Sequence, residues 1–165
     1  MAVRRNSLLR YAIVMPLMAL VLAGCSTRGY RYSHYETIDS PGWEREDTLR
    51  FTLEPVQHYG TYAEEVGLRT TSFYPFMQLA LIISQEAQPS GFCRTDTIEA
   101  RLTDDEGMVT GDGINHYQYL FPLPDATLAA GDTLRVSVRH DMLRSPLVGI
   151  TDVGFTCVFL TRVAD

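Results

Sequence analysis

The stretch Thr-Leu-Arg-Val-Ser-Val-Arg at residues 133–139 decides the fold class, because apolar and polar side chains alternate through its whole length. In an extended chain Leu134, Val136 and Val138 share one face, so the pattern predicts a β-strand with that face buried. The stretch Asp-Thr-Leu-Arg-Phe-Thr-Leu at residues 47–53 alternates in the same way. Such alternation is typical of antiparallel sheets that pack one face against a core.

Other segments extend this pattern along the chain. Further strands are predicted at residues 61–71, 77–83, 95–102, 117–121 and 153–160. Turn signals separate them at residues 40–42, 89–91, 104–107 and 131–132. No segment after residue 25 has helical spacing of its apolar residues. The sequence therefore predicts an all-β fold of about seven or eight strands, a single antiparallel β-sandwich with a jelly-roll arrangement as the favoured version.

The first residues of the chain have the pattern of an export signal. Arg4, Arg5 and Arg10 stand there without any acidic residue, and an apolar run follows at residues 11–22. A basic start followed by an apolar run of this length is typical of a secretory signal peptide. A membrane span needs about twenty apolar residues, so this shorter run, interrupted by Pro16, does not favour one.

The sequence Leu-Ala-Gly-Cys at residues 22–25 resembles the lipobox of bacterial lipoproteins. Small residues before the cleavage site and a thiol that accepts a diacylglyceryl group fit that chemistry; an ordinary signal peptide with a chance cysteine is the alternative. Two or more acyl chains give durable membrane binding. Ser26 after Cys25 resembles outer-membrane sorting, so we expect a lipid-anchored protein of the cell envelope, at the outer membrane and facing the periplasm.

Three segments follow from these signals. We predict a lipoprotein signal peptide at residues 1–24, a lipidated cysteine with its tether at residues 25–40, and the β-sandwich domain at residues 41–165. The tether is rich in tyrosine around residues 30–35 and can also form a first strand. At 141 residues from Cys25 onward, the mature chain suits one domain.

The charge of the mature chain excludes some partners. Cleavage before Cys25 leaves eleven basic against twenty acidic residues, a net charge of −9. A nucleic-acid partner is therefore not expected, because phosphate contacts need clustered cations. Direct adhesion to anionic lipid is disfavoured for the same reason.

Two cysteines, Cys93 and Cys157, remain when Cys25 is acylated. In an oxidising compartment a disulfide between them is one prediction. Two separate thiols, each acting as a small buried side chain, are the other prediction, and the apolar strand around Cys157 favours it.

Residues able to carry catalysis are not grouped in the sequence. None of the four histidines, His34, His58, His116 and His140, lies near a nucleophile motif. No cysteine or histidine pair has metal-ligand spacing. The acidic stretch at residues 104–107 with Asp112 has calcium-type ligands, but its spacing is that of a solvated turn rather than an EF-hand. We therefore predict no enzyme activity, no cofactor, no metal and no small-molecule substrate.

The aromatic residues Trp43, Tyr74, Phe76, Tyr117 and Tyr119 allow two interpretations. They could form a platform for sugar rings or for a partner protein on one face of the sandwich. Core packing and cross-strand pairing are the simpler explanation, because aromatic residues favour strands. We favour packing and keep Trp43, Tyr74, Tyr117 and Tyr119 as the candidate ligand or partner surface.

Several residue groups together resemble one family, the gliding motility-associated lipoprotein GldH family of the Bacteroidetes. They are, in chain order, Trp43 with residues 47–51, residues 68–70 with 74–76, residues 96–98, 102–104, Gly107 and 111–113, and residues 140–142 with 147–155. The closing Gly-Ile-Thr-Asp-Val-Gly at residues 149–154 is the most specific group. One departure is that Met77 and Gln78 stand where the family has asparagine.

The resemblance implies an accessory protein of the cell envelope that surface gliding requires in motile members. It implies a non-enzymatic scaffold or interaction protein with envelope protein partners and the membrane as its anchor; a glycan- or cell-wall-polymer-binding lipoprotein is the alternative. Within the family segments, Arg69 and Asp152 are expected to form an ion pair. Gly149 and Gly154 are expected to allow a bend or bulge in the last strand.

Overall fold

Nine β-strands form the regular structure of the computed structural model, which describes residues 30–39 and 41–162. The predicted signal peptide and the predicted lipidation site Cys25 lie outside these residues. The strands are β1 (Arg31–Thr37), β2 (Leu49–Thr52), β3 (Gly60–Thr71), β4 (Gln78–Gln88), β5 (Cys93–Arg101), β6 (Asp112–Gly113), β7 (His116–Leu128), β8 (Thr133–His140) and β9 (Ile150–Arg162). Within the same ranges no helix is long and apolar enough to cross a bilayer.

The strands form two antiparallel sheets. One sheet has the order β1-β9-β3-β7-β6 and the other has the order β2-β8-β4-β5. The predicted all-β antiparallel sandwich is therefore confirmed. Successive strands cross from one sheet to the other, except at the β4–β5 and β6–β7 hairpins. The finer jelly-roll arrangement stays a prediction.

The core lies between the inner faces of the two sheets. In β8, Leu134, Val136 and Val138 are each at most 1 % exposed, as their alternation predicted. Phe51 of β2 is equally buried, and its ring centroid lies 6.2 Å from that of Phe155 on β9 in the other sheet. Burying a side chain of this kind stabilises the fold by roughly 1.5–3 kcal/mol, so these contacts hold the two sheets together.

The first strand forms inside the segment that the sequence marked as tether. β1 pairs with β9 along its whole length, from Arg31 opposite Val158 to Thr37 opposite Asp152. Tyr30, just before β1, packs its ring edge-on against Tyr62 at a centroid distance of 5.9 Å. The alternative that the tether segment contributes a strand is the one found.

Both remaining cysteines are free thiols. Cys93 is exposed on β5, whereas Cys157 is buried on β9 in the other sheet. Cys93 lies opposite the exposed Glu86, and Cys157 lies opposite the buried Glu64. Cys93 therefore points outward from its sheet, whereas Cys157 points into the core. The structure contains two separate thiols, which is the prediction that the sequence favoured over a disulfide, but Cys93 is exposed and not buried.

The predicted ion pair between Arg69 and Asp152 is absent from the described residues, although the two face each other across β3 and β9. Each has another partner. The Arg69 guanidinium carbon lies 4.2 Å from the centroid of the Tyr35 ring, a cation–π arrangement. Asp152 accepts a hydrogen bond of 3.0 Å from the Thr37 hydroxyl. Arg69 and Asp152 thus both connect β1 to its neighbours.

Gly154 is required for close packing rather than for a bend. Gly154 lies beside Gly67 and Tyr35 in one row across β1, β9 and β3. A Cβ at Gly154 would lie 2.6 Å from the Tyr35 ring, and a Cβ at Gly67 would lie 2.2 Å from the hydroxyl oxygen of Tyr35. The predicted bend instead occurs at Gly149, whose φ is +91° directly before β9.

A substitution of Gly154 by alanine tests this packing. We expect Gly154→Ala to lower the free energy of unfolding by roughly 1–3 kcal/mol, because the Tyr35 ring must move away from the new methyl group. Urea unfolding of the purified protein measures the change. In a Tyr35→Ala background the same substitution should cost much less; an equal cost in both backgrounds would show that the ring is not the obstacle.

Candidate functional site

Four loops gather at one end of the sandwich, which we call the distal loop end. They comprise residues 38–48, 72–77, 102–115 and 141–149, and they follow β1, β3, β5 and β8; the third includes the two-residue strand β6. Tyr30, the first described residue, lies at the opposite end, because it precedes β1 and β1 runs toward the loops. The twelve residues of β3 span roughly 40 Å between the two ends at about 3.3 Å per residue.

Backbone hydrogen bonds join the distal loops to one another. Trp43 and Leu147 exchange two such bonds, of 3.1 and 2.8 Å. The amide of Thr71 donates to the carbonyl of Gly149 at 2.7 Å, and the amide of Leu102 donates to the carbonyl of Met77 at 2.8 Å. Each loop that projects from the sandwich is therefore tied to another loop or to a strand end.

Gly149 occupies a position in the 141–149 loop that only glycine fits. Its φ of +91° lies in the left-handed region, which favours glycine. A Cβ at this position would lie 2.4 Å from the amide nitrogen of Tyr74, so no side chain fits. The contact between the 72–77 and 141–149 loops therefore depends on this glycine.

Large apolar side chains project from three of the distal loops into solvent. They are Leu143 (95 % exposed), Ile114 (86 %), Phe73 (78 %), Met108 (67 %), Met77 (50 %), Val148 (47 %) and Val109 (43 %). The described residues contain only three other exposed large apolar side chains, Tyr59, Leu120 and Leu160, and these lie elsewhere. A concentration of this kind is typical of interaction surfaces.

The distal loop end is also strongly acidic. Its four loops contain nine carboxylates and two arginines, a net charge of −7. The loop at residues 38–48 borders a groove of about 490 Å³, lined by Asp39, Glu44, Glu46, Asp47 and Arg50 among others. A surface with this charge attracts cationic groups and repels anionic ones.

Trp43 and Tyr119 are buried, so the predicted ligand platform is wrong at these two positions. Trp43 is 1 % exposed, and its ring packs edge-on against His140 at a centroid distance of 5.2 Å. Its indole N–H donates to the carbonyl of Asp47 at 3.0 Å, which fastens the acidic loop to the core. Tyr119 is 8 % exposed and donates to the carbonyl of Leu102 at 3.2 Å. These rings stabilise the loops from beneath.

Tyr74 and Tyr117 are half-buried and lie close to Tyr119. The three rings, with Phe76, line a cavity of only about 50 Å³ at the distal loop end. Burial raises the pKa of Tyr74, whose hydroxyl donates to the carbonyl of Gln78 at 3.0 Å. The structure thus brings three of the four predicted residues together, as packing partners around a space too small for a sugar ring.

A polar cluster missed by the sequence analysis lies inside the sandwich, at Glu64 of β3. Glu64 is 1 % exposed, and its Oε2 accepts hydrogen bonds from Gln85 Nε2 at 2.9 Å and Arg94 Nη2 at 2.5 Å. Arg94 also donates from Nε to Asp96 at 2.6 Å and from Nη1 to the carbonyl of Asp125 at 3.0 Å. The cluster connects β3 of one sheet to β4 and β5 of the other.

Burial dominates the acid–base behaviour of this cluster. It raises the pKa of Glu64 from 4.5 to about 7, although the hydrogen bond from Gln85 and the charge of Arg94 both act to lower it. Burial, with the nearby Glu64 charge, raises the pKa of the Cys157 thiol to about 12. A reactive cysteine needs a lowered pKa, so Cys157 has the properties of a packing residue.

Two candidate groups from the sequence, His140 and the acidic turn at Asp104, have hydrogen-bond partners within their own loops. Burial lowers the pKa of His140, whose Nδ1 accepts from the amide of Met142 at 3.3 Å. The Asp104 carboxylate closes its own turn by accepting from the amides of Glu106 and Met108 at 3.1 and 2.7 Å. No group of three His, Cys, Asp or Glu residues in the described ranges has metal-site geometry.

Fold and site together define an antiparallel β-sandwich with an exposed apolar, acidic loop surface at one end. The family model described as GldH lipoprotein matches residues 30–157, which is most of the chain. The chain therefore belongs to the GldH lipoprotein family, as the residue groups in the sequence predicted.

Two relatives are similar to this chain over most of its length. The gliding motility lipoprotein GldH of Flavobacterium johnsoniae is 27 % identical over 149 residues, which cover 86 % of this chain and 92 % of the relative. The GldH homolog of Christiangramia forsetii is 23 % identical over 154 residues, which cover 88 % and 93 %. The chain is thus a gliding-motility lipoprotein by family.

One solved structure illustrates a distant likeness in fold. A family 35 carbohydrate-binding module from Clostridium thermocellum has a TM-score of 0.42 and 12 % identity, covering 80 % of this chain and 92 % of that chain. A likeness of this size carries no information on ligand or activity.

Sequence signals for the two missed features do exist. Glu64 shares one face of β3 with Tyr62, Val66 and Leu68, so the period-two pattern alone places its carboxylate in the core. The exposed distal side chains are large apolar residues inside connecting segments, where polar residues are the rule. Ile114 and Leu143 are the clearest examples.

The raised pKa of Glu64 predicts a specific pH dependence of stability. The unfolded chain ionises Glu64 near its ordinary pKa of 4.5, whereas the folded chain keeps the proton until about pH 7. Folding is therefore increasingly disfavoured as pH rises through that window. We expect the free energy of unfolding to fall by about 3 kcal/mol relative to Glu64→Gln between pH 4.5 and pH 7.

Urea unfolding at several pH values measures this difference. Glu99→Gln, which replaces an exposed carboxylate on β5, is the matched control and should run parallel to the unmodified protein. A constant difference between the unmodified protein and Glu64→Gln over this pH range would contradict the raised pKa.

Proposed function

We propose that this protein is a lipid-anchored accessory protein of the cell envelope and acts as a non-enzymatic scaffold in a gliding-motility-type machine. The match of the GldH lipoprotein family to residues 30–157 carries the proposal. The relatives from Flavobacterium johnsoniae and Christiangramia forsetii support it, because both are named as gliding motility lipoproteins.

The anchor is Cys25, whose thiol takes a diacylglyceryl group and which becomes the first residue of the mature chain when the signal peptide at residues 1–24 is removed. The lipobox at residues 22–25 supports this assignment. Because only residues 26–29 separate Cys25 from Tyr30, the acylated chain keeps the sandwich close to its membrane. We place the protein at the outer membrane, facing the periplasm, on the basis of Ser26.

The scaffold role is supported by what the described residues offer chemically. Cys157 has a raised pKa and His140 is buried against Trp43, so neither is placed for acid–base or nucleophilic work. The distal loop end differs from the rest of the described surface in its exposed large apolar side chains and its high negative charge. Binding is therefore the activity that the surface supports best.

Acylation is tested by Cys25→Ser, with Cys93→Ser as the matched control at an exposed cysteine. We expect radiolabelled palmitate to enter the unmodified protein and Cys93→Ser but not Cys25→Ser, which should leave the membrane fraction. Fractionation of labelled cells measures both effects. Label or membrane retention that persists in Cys25→Ser would overturn the anchor at this residue.

The scaffold role is tested by chemical crosslinking in native cells, followed by isolation of the acylated protein and mass spectrometry. Enrichment of motility or secretion components would support the scaffold. Recovery of polysaccharide or glycan-handling proteins without those components would support the alternative, a glycan-binding lipoprotein.

A further inference from the structure

We propose that the distal loop end is the docking surface for a basic protein partner, one that presents lysine and arginine side chains around an apolar centre. The inference rests on the proposed scaffold function and deepens it, because it names the surface and the chemistry of its occupant. Charge, exposure and rigidity of the distal loops carry it.

Exposure identifies the centre of the surface. Seven of the ten exposed large apolar side chains of the described residues lie in these loops, and Leu143, Ile114 and Phe73 are at least 78 % exposed. They come from three separate loops, so the concentration is not the property of one turn. Apolar side chains in this number supply the desolvated centre that stable interfaces use.

Rigidity makes the surface suitable for a specific partner. The paired backbone bonds between Trp43 and Leu147 hold the 38–48 and 141–149 loops together, and the bond from Thr71 to Gly149 fixes the second of these loops to the end of β3. Buried Trp43 and Tyr119 support the loops from the core side. A surface held in one arrangement loses little conformational entropy on binding.

Charge defines the occupant. The distal loops hold nine carboxylates against two arginines, a net −7, whereas the rest of the mature chain holds eleven carboxylates against nine arginines, a net −2. Three of the distal carboxylates, Glu46, Glu106 and Asp112, are exposed and form no side-chain hydrogen bond or ion pair within the described residues. Carboxylates without a structural role, in the same set of loops as the exposed apolar side chains, match a partner that presents basic and apolar residues together.

Other occupants fit the surface less well. A second copy would bring two surfaces of −7 together, and a nucleic acid would be repelled in the same way. The anchoring membrane lies at the other end of the sandwich, roughly 40 Å away by the length of β3. A glycan needs exposed ring faces, and Phe73 is the only aromatic residue among the seven exposed side chains.

The test uses a photocrosslinking amino acid introduced into the full acylated protein in native cells. Leu143 and Ile114 are the distal positions, and Leu120 on β7 and Leu160 on β9 are controls of comparable apolar character. We expect a discrete protein adduct at the distal positions only. Mass spectrometry of the adduct should locate the crosslink beside lysine or arginine residues of the partner.

Charge reversal then tests the chemistry of the contact. The variant Glu46→Lys with Glu106→Lys and Asp112→Lys should reduce adduct formation at Leu143 by about tenfold or more. The matched control is Glu54→Lys with Glu86→Lys and Asp125→Lys, which changes the net charge equally at exposed positions elsewhere. It should leave adduct formation unchanged.

Folding and anchoring are checked in the same cells. In folded variants a thiol reagent should modify exposed Cys93 but reach buried Cys157 only after denaturation. Palmitate labelling reports separately whether the anchor is present, so failure of the proposed function is distinguishable from failure of docking.

Several results would overturn the proposal in a folded, acylated protein. They are no distal adduct, equal adducts at Leu120 and Leu160, an adduct with a second copy of this chain or with glycan, and equal effects of the two triple variants. A distal adduct that persists after reversal of Glu46, Glu106 and Asp112 would also overturn it.

Discussion

The burial of alternate side chains between two facing sheets is the constraint on which the rest of the molecule depends. Once Phe51, Val136 and Phe155 lie in the core, every neighbour in their strands must point outward, and every chain reversal must lie at an end of the sandwich. Three of the four distal connections are longer than any connection at the opposite end, and together the distal connections contain most of the net charge and of the exposed large apolar side chains. Packing thus separates a structural body from a surface that is free for interaction.

Glu64 is the main exception to an apolar core, and its surroundings show how such an exception is tolerated. Its carboxylate receives Gln85 and Arg94 from the opposite sheet, so hydrogen bonds offset part of the cost of burial. Arg94 is in turn shared with Asp96 at the edge of the cluster. The arrangement adds a directional link between the sheets that the apolar contacts alone do not provide.

Alternation in the sequence predicted the inner faces of β2 and β8, and together with short apolar runs it was sufficient to predict the sandwich. It did not predict the two-residue β6, and it left β1 as an alternative to a tether. It could not decide whether Trp43 and Tyr119 face solvent or core, since aromatic rings suit both and only the tertiary contacts with His140 and Leu102 settle it. Partners between distant strands were equally inaccessible, so Arg69 was assigned to Asp152 rather than to the Tyr35 ring. The distal surface could not be predicted from the sequence, because its loops are separated by whole strands in the chain and only the fold brings them together.

Thiol accessibility tests most directly whether a partner covers the distal loop end in the native envelope. The variant is Leu143→Cys in a Cys93→Ser background, and its modification is compared between intact native envelopes and the purified protein. Leu120→Cys in the same background is the control on the outer face of β7. Protection of the thiol at position 143 in the envelope, but not after purification and not at position 120, is the expected result. Equal and rapid modification of both positions in the envelope would contradict a covered distal surface.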